Sequence, residues 1–319
     1  MKLPRRMATA GHVMAAMFAL VLVGCGAGGP IGPDAPLFEP RINQGWIEGA
    51  GGERLALYSW PAQGRVRAVV LGLHGFGDSG EFAFGDAASG DWSRRGIAVY
   101  AIDQRGFGAN PSTRRWPGAA RLEADAIEVA RLLRERHPDV PLVVIGHSMG
   151  GGLALAAAAQ GMPADGLVLA GPAIVGGTAL NPFLRAGGWT MATLAPERRW
   201  TGDGVIEIMP TDNMDALRRA ASDPRHFGNA SSRELYGLVQ VMDRAAAAAP
   251  VVEIPVLTLM GARDEILAPA AVQRVHATIP GAAGFIYYPD GWHWLFVDRQ
   301  APKVWRDVSD FVLSVPVRQ

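Results

Sequence analysis

Between Leu142 and Leu155 the chain runs Leu-Val-Val-Ile, then Gly146-His147-Ser148-Met149-Gly150, then Gly-Gly-Leu-Ala-Leu. Few backbone paths satisfy that order. The β-branched apolar run predicts a buried strand and the run after Gly150 predicts a helix, so the five residues between them must convert one into the other in a single tight turn. Such a turn strains the residue at its apex and brings strand and helix backbones together, which explains glycine at 146 and 150. It also lifts Ser148 clear of the sheet at the head of a helix, whose amino end favours negative charge. The five-residue pattern alone is a weak signal in a chain with 40 glycines; its flanks make it specific.

Other short apolar runs, at 68–73, 97–102, 167–169, 256–260 and 285–288, alternate with helical patterns at 119–136, 149–160, 269–278 and 301–313. Strands alternating with helices predict an α/β fold with a mostly parallel central sheet flanked by helices on both faces. At 319 residues and 49% hydrophobic content the chain can bury one large core. The alternation breaks at about 172–250, where Phe183, Trp189, Trp200 and Phe227 lie among amphipathic segments and an alanine run, with no evident strand. That stretch reads as a helical cap inserted over the carboxyl edge of the sheet, where ligands of α/β folds bind.

The amino terminus carries Lys2, Arg5 and Arg6, then an apolar run at 13–23, then Leu22-Val23-Gly24-Cys25. Eleven apolar residues fall short of the ~20 needed to span a bilayer, so residues 1–24 read as an export signal. Arg5-Arg6 is followed by Met-Ala-Thr-Ala, which does not match a twin-arginine signal. The tetrad ending at Cys25 resembles the lipobox of bacterial lipoproteins. That resemblance implies a diacylglycerol on Cys25, cleavage before it, and anchoring in the cell envelope. Gly26, where inner-membrane lipoproteins often carry Asp, points to the outer membrane of a Gram-negative cell. An ordinary signal peptide cut near Gly24 or Ala27 is the alternative. Residues 25–43, dense in Gly and Pro, read as a tether, and the body as 44–319. Cys25 is the only cysteine, which excludes an internal disulfide and a cysteine metal cluster. Thirty basic residues balance thirty acidic ones without a basic run, so no nucleic-acid partner is expected.

A serine hydroxyl becomes a useful nucleophile only when a base takes its proton. Of seven histidines, His12 lies in the signal, His137 ends a helix, His276 sits within one, and His226 belongs to the insertion. His147 neighbours the serine, but its backbone direction should carry it away. His293 follows the strand-like 285–288 through Pro-Asp-Gly, on a loop where a base is wanted. The base needs a carboxylate to hold its tautomer. Asp264, just past the run 256–260, is the candidate, with Glu265 and Asp290 as competitors and a turn role expected for Asp290. Charge developing on an attacked carbonyl needs two N–H donors: Met149, directly after the serine, and Phe76, in the loop His74-Gly75-Phe76-Gly77 after the first long strand. His74 should brace that loop.

With Asp103-Gln104-Arg105-Gly106-Phe107-Gly108, Gly261-Ala-Arg-Asp264 and Gly291-Trp-His293 added, the chain from about Trp46 to Val312 resembles the monoacylglycerol lipase and lysophospholipase branch of the α/β-hydrolases. The resemblance implies cleavage of single-chain lipid esters under a helical cap, with no cofactor and no metal. Serine aminopeptidases and carbon–carbon hydrolases share the triad, and a non-catalytic binding protein shares the scaffold. Trp189, Met191, Trp200, Met209 and Met214 are candidates for an acyl channel or for ordinary core. Gly75-Phe-Gly-Asp-Ser-Gly80, with Asp103 at the end of the next strand, also matches a dinucleotide fingerprint. That reading needs a helix opening at Gly80, where the sequence has poor helical character, and it leaves Ser148, Asp264 and His293 without a role.

Overall fold

Three antiparallel strands, β1 (Arg41–Asn43), β2 (Trp46–Glu48) and β3 (Arg54–Trp60), form one edge of the central sheet. After them come the parallel strands β4 (Ala68–Leu73), β5 (Ile97–Ile102), β6 (Leu142–His147) and β7 (Gly166–Ala170). A separate short pair, β8 (Arg199–Trp200) and β9 (Ala230–Ser231), precedes β10 (Val256–Gly261) and β11 (Ala282–Tyr288). The nine-stranded order is β1-β2-β3-β5-β4-β6-β7-β10-β11, with β5 through β11 all parallel. This computed structural model describes residues 39–49, 51–176, 182–201 and 208–318. The export signal, Cys25 and most of the tether lie outside the described residues.

The parallel strands β4, β5, β6, β7 and β10 are buried on both faces, as near-continuous apolar runs require, while β11, at the edge of the sheet, is largely half-exposed. Within β4, Val69, Leu71 and Leu73 join the core on one face and Ala68 and Val70 the core on the other. The first face carries helices α2 (Ala119–Arg136), α3 (Met149–Ala159) and α7 (Pro269–His276); the second carries α1 (Gly80–Ala87) and α8 (Ala301–Ser314). Helix α2 shows why. Leu122, Ala126, Val129, Ala130 and Leu133 repeat at helical spacing and are all buried, while Arg134 and Arg136 complement the dipole of its last turn.

The chain runs from β4 outward to β5, then back past β4 to β6. The sheet reverses direction of growth between β4 and β6, and a crevice opens beyond their carboxyl ends. Register lines up the loops around it. Leu73 pairs with Gly146, His147 with Ala170, and Ala170 with Leu259, so the residues after β4, β6, β7 and β10 emerge side by side.

Three expectations change. Residues 80–87 are helical, because Ser79 caps the helix by accepting from the Phe82 N–H, a signal that outweighs the poor propensity of Gly80 and Gly85. The insertion contains a strand pair, β8 with β9, too short to leave a periodic trace. The sheet begins at Arg41, ahead of Gln44. The insertion also holds helices α4 (Pro182–Leu194), α5 (Met214–Ser222) and α6 (Ser232–Ala248). Helix α6 opens with a capping box between Ser231 and Glu234 and buries Val241 and Ala245 against the body; an added Cβ on Gly152 of α3 would stand 3.0 Å from Val241 Cγ1. Glu123 of α2, fully buried, accepts from Arg244 of α6.

Candidate active site

Ser148 sits at φ 52° and ψ −116°. Apart from Arg114, it is the only non-glycine residue with positive φ among the described residues. Its carbonyl accepts from the Gly151, Gly152 and Ala173 N–H groups and its own N–H donates to Ala170 O, so surrounding bonds hold the strained residue in place. The flanking glycines answer to contact. A Cβ on Gly146 would overlap the Gly150 carbonyl, and one on Gly150 would overlap the Leu73 carbonyl.

His293, almost fully buried, donates Nδ1–H to Asp264 Oδ2 at 2.8 Å. The other oxygen of Asp264 accepts from the Ile266 and Leu267 N–H groups, each at 2.9 Å. Burial pushes the Asp264 carboxyl up, but the bond and charge of His293, with those two amides, outweigh burial and hold it below its ordinary value. The carboxylate therefore stays ionised beside the imidazole and fixes its tautomer, leaving Nε2 for the serine side. The competitors are engaged elsewhere: Glu265 accepts from the Met209 N–H, and Asp290 faces solvent and pairs with Arg263.

Ser148 and the His293–Asp264 pair both lie at the end of β7. Ser148 N–H is bonded to Ala170, and the next residue, Gly171 at φ 47°, lies against the pair: an added Cβ would stand 3.2 Å from His293 Nδ1 and 3.4 Å from Asp264 Oδ2. No Ser148–His293 hydrogen bond closes among the described residues; such bonds commonly tighten only around substrate. Gly171 was not singled out in the sequence, where one more glycine after a strand carries little signal.

His147 does not turn away entirely. It is buried, its ring centroid is 5.0 Å from that of His293, and its Nε2 donates to the His293 carbonyl at 3.0 Å. Burial and the neighbouring His293 push it down to about 4, so it is a neutral donor that props the loop bearing His293. His74 braces as expected: Nδ1–H donates to Gly75 O and Nε2 accepts from Gln104 N–H, joining the loops after β4 and β5. The loop bearing Phe76 lies against Ser148, for a Cβ on Gly75 would stand 3.3 Å from Ser148 Cβ. Met149 opens α3 immediately after Ser148.

Asp103 serves the fold. It accepts from the Gly80 and Ala109 N–H groups and the Tyr58 hydroxyl, so although a helix does open at Gly80, the acid a dinucleotide would need is consumed internally. No cluster suited to a metal occurs among the described residues.

The five suggested channel residues are half-exposed and form no core: Trp189, Met191, Trp200, Met209 and Met214. Met191 and Trp200, with Phe183, Leu235, Tyr236 and Val239, line an open apolar cavity of about 570 Å³ between α4 and α6.

Residues 64–300 match the model of the family described as serine aminopeptidase, S33. The chain belongs to this family. It is 28% identical over 285 residues to a monoacylglycerol lipase of Mycolicibacterium smegmatis, covering 83% of this chain and 95% of that one. Among solved structures, monoacylglycerol lipase of Paleococcus ferrophilus superposes with a TM-score of 0.68 at 22% identity, over 82% of this chain and 99% of that chain. A soluble variant of monoglyceride lipase from Saccharomyces cerevisiae, in complex with a substrate analog, gives 0.69 at 23%, over 88% and 96%. The family and these neighbours agree on the α/β-hydrolase fold, with its mostly parallel sheet flanked by helices.

Proposed function

We propose that this serine ester hydrolase acts on single-chain lipid esters, monoacylglycerols first, with Ser148 as nucleophile, His293 as base, Asp264 as its orienting acid, and Phe76 and Met149 N–H groups as oxyanion donors. The observation that carries the reading is register: the Asp264–His293 pair and the strained Ser148 emerge on adjacent loops around Gly171. The monoacylglycerol lipase of M. smegmatis, similar along nearly its whole length, supports the choice of ester, as does the half-exposed apolar lining of the cap.

In the reaction, His293 Nε2 takes the Ser148 proton as Oγ attacks the ester carbonyl, and the oxyanion rests on the two N–H groups. The imidazolium passes that proton to the departing alcohol, which leaves an acyl-Ser148 ester. Water then loses a proton to His293 as it attacks the acyl carbon; the C–Oγ bond breaks, the imidazolium returns that proton to Ser148 Oγ, and the carboxylic acid departs from the restored enzyme. Asp264 remains ionised throughout.

The test compares kcat/KM for monoacylglycerols, lysophospholipids, p-nitrophenyl esters and aminoacyl anilides, with Ser148→Ala as control. Monoacylglycerols should lead, and Ser148→Ala should lower kcat on the order of 10⁴- to 10⁶-fold. Preference for the anilides would favour a peptidase instead, as the family's name would have it.

We further propose that Cys25 carries a lipid anchoring the enzyme to the bacterial envelope, on the outer rather than the inner membrane. The tetrad Leu22-Val23-Gly24-Cys25 supports this. Cys25→Ser should abolish metabolic labelling by palmitate and release the protein from the membrane fraction; unchanged labelling would contradict it.

A further inference from the structure

A short piece of the cap, Arg225-His226-Phe227, lies between α5 and β9 and touches the body at three places. Arg225 donates through Nη1 to the Tyr58 hydroxyl at 3.0 Å and to Glu81 at 2.7 Å, while Nε and Nη2 hold Asp223. His226 packs against both Phe82 and Trp294, with ring centroids at 5.4 and 5.3 Å, and those two rings meet each other edge-on at 5.3 Å; Trp294 directly follows His293. Phe227 donates its N–H to Gly77 O at 2.8 Å. Its ring meets Phe76 edge-on at 5.9 Å, stacks on Phe107 at 5.8 Å, and lies 3.8 Å under the Arg114 guanidinium.

The approach at Gly77 is as close as a backbone permits. Gly77 holds φ 71°, and a Cβ there would overlap the Phe227 carbonyl oxygen, so glycine is required both by the turn and by the strap pressed on it. On its other side the same four-residue loop is held by His74. Phe76, whose N–H the proposed mechanism uses, thus sits between a bracket from the body and a bracket from the cap.

We propose that Arg225–Phe227 is a positioning strap through which the cap holds the Phe76 oxyanion donor in line with Ser148. This rests on the reading of Ser148, Phe76 and Met149 given above. Donors must be held within about 0.5 Å of their working geometry, and losing one oxyanion donor costs on the order of 10²- to 10³-fold in kcat. Loosening the loop while Met149 and the His74 brace remain should cost less than that.

The experiment measures kcat and KM for p-nitrophenyl butyrate, together with inhibition by an alkyl trifluoromethyl ketone, whose adduct with serine carries an oxyanion. Phe227→Ala should lower kcat about 10- to 100-fold, weaken the ketone by a similar factor, and leave KM within about threefold. Phe227→Tyr, which keeps the ring, should restore most of kcat. Arg225→Met, which keeps the stem and removes the bonds to Tyr58 and Glu81, should lose kcat in the same sense by a smaller factor and carries the test if Phe227→Ala does not fold. A merely structural strap would lower the melting temperature and leave kcat and ketone affinity alike. Folded Phe227→Ala and Arg225→Met enzymes with kcat and ketone affinity within twofold of wild type would overturn the strap and leave the ester-hydrolase reading standing. Hydrolysis by wild type that survives Ser148→Ala would overturn both.

Discussion

Replacing Ser148 by glycine should stabilise the protein relative to replacing it by alanine. At φ 52° and ψ −116° the serine lies far from the left-handed helical well, in territory where a Cβ crowds its own backbone. A non-glycine residue so placed costs on the order of 1–3 kcal/mol. Alanine deletes the hydroxyl but keeps the Cβ and hence the strain. Glycine removes both, at the cost of a looser unfolded chain, about 0.4–1 kcal/mol. Oγ is absent from both variants, so only the Cβ and the freedom of the unfolded chain separate them. The difference lies between roughly 0 and 2.6 kcal/mol, centred on about 1 kcal/mol, in favour of glycine. For a domain of this size each kcal/mol moves Tm by about 2–4 °C. Thermal unfolding followed by circular dichroism would show Ser148→Gly melting a few degrees above Ser148→Ala, with both inactive. A glycine variant that melts at or below the alanine variant would refute the claim that the turn stores strain.

Two further perturbations separate neighbouring carboxyls. Asp264→Asn should lower kcat on the order of 10⁴-fold by losing the acceptor that fixes the His293 tautomer, whereas Asp290→Asn, exposed and paired with Arg263, should change it less than threefold; the reverse ranking in a kcat assay would show the wrong acid was chosen. Asp298, buried beside the base loop, is pushed up to about 7 by burial, against the Trp292 N–H and Gln300 bonds that lower it. Its folded value exceeds the unfolded ~3.9, so its contribution favours the fold in acid and is lost as pH rises from about 4 through about 7, by up to roughly 4 kcal/mol. Asp298→Asn should therefore gain Tm over wild type progressively between pH 5 and pH 8, and a difference independent of pH would sink this account.

Legibility followed burial. The parallel strands β4, β5, β6, β7 and β10 stand out as apolar runs because both of their faces are covered. The antiparallel edge does not: Arg54–Trp60 mixes Arg, Tyr and Ser because one side meets solvent. Helix α1 was hidden by two glycines, since its start depends on the Ser79 cap rather than on propensity. At the site, Ser148, Asp264 and His293 could be found as residue types after strands. Gly171 and His147 could not, because what matters about them is a distance to His293 that no local pattern encodes.

The sequence by itself determined the elements: a strand-turn-helix around Ser148, an alternating α/β order, and the residue types needed for acyl transfer. These are local consequences of apolar periodicity and of glycine where backbones cross. Tertiary structure alone decided which carboxylate meets His293, that His147 supports the base loop, and that a cap segment presses on the loop bearing Phe76. Those facts depend on strand register and on contacts between residues far apart in the chain, and register is set only when the sheet closes over its core.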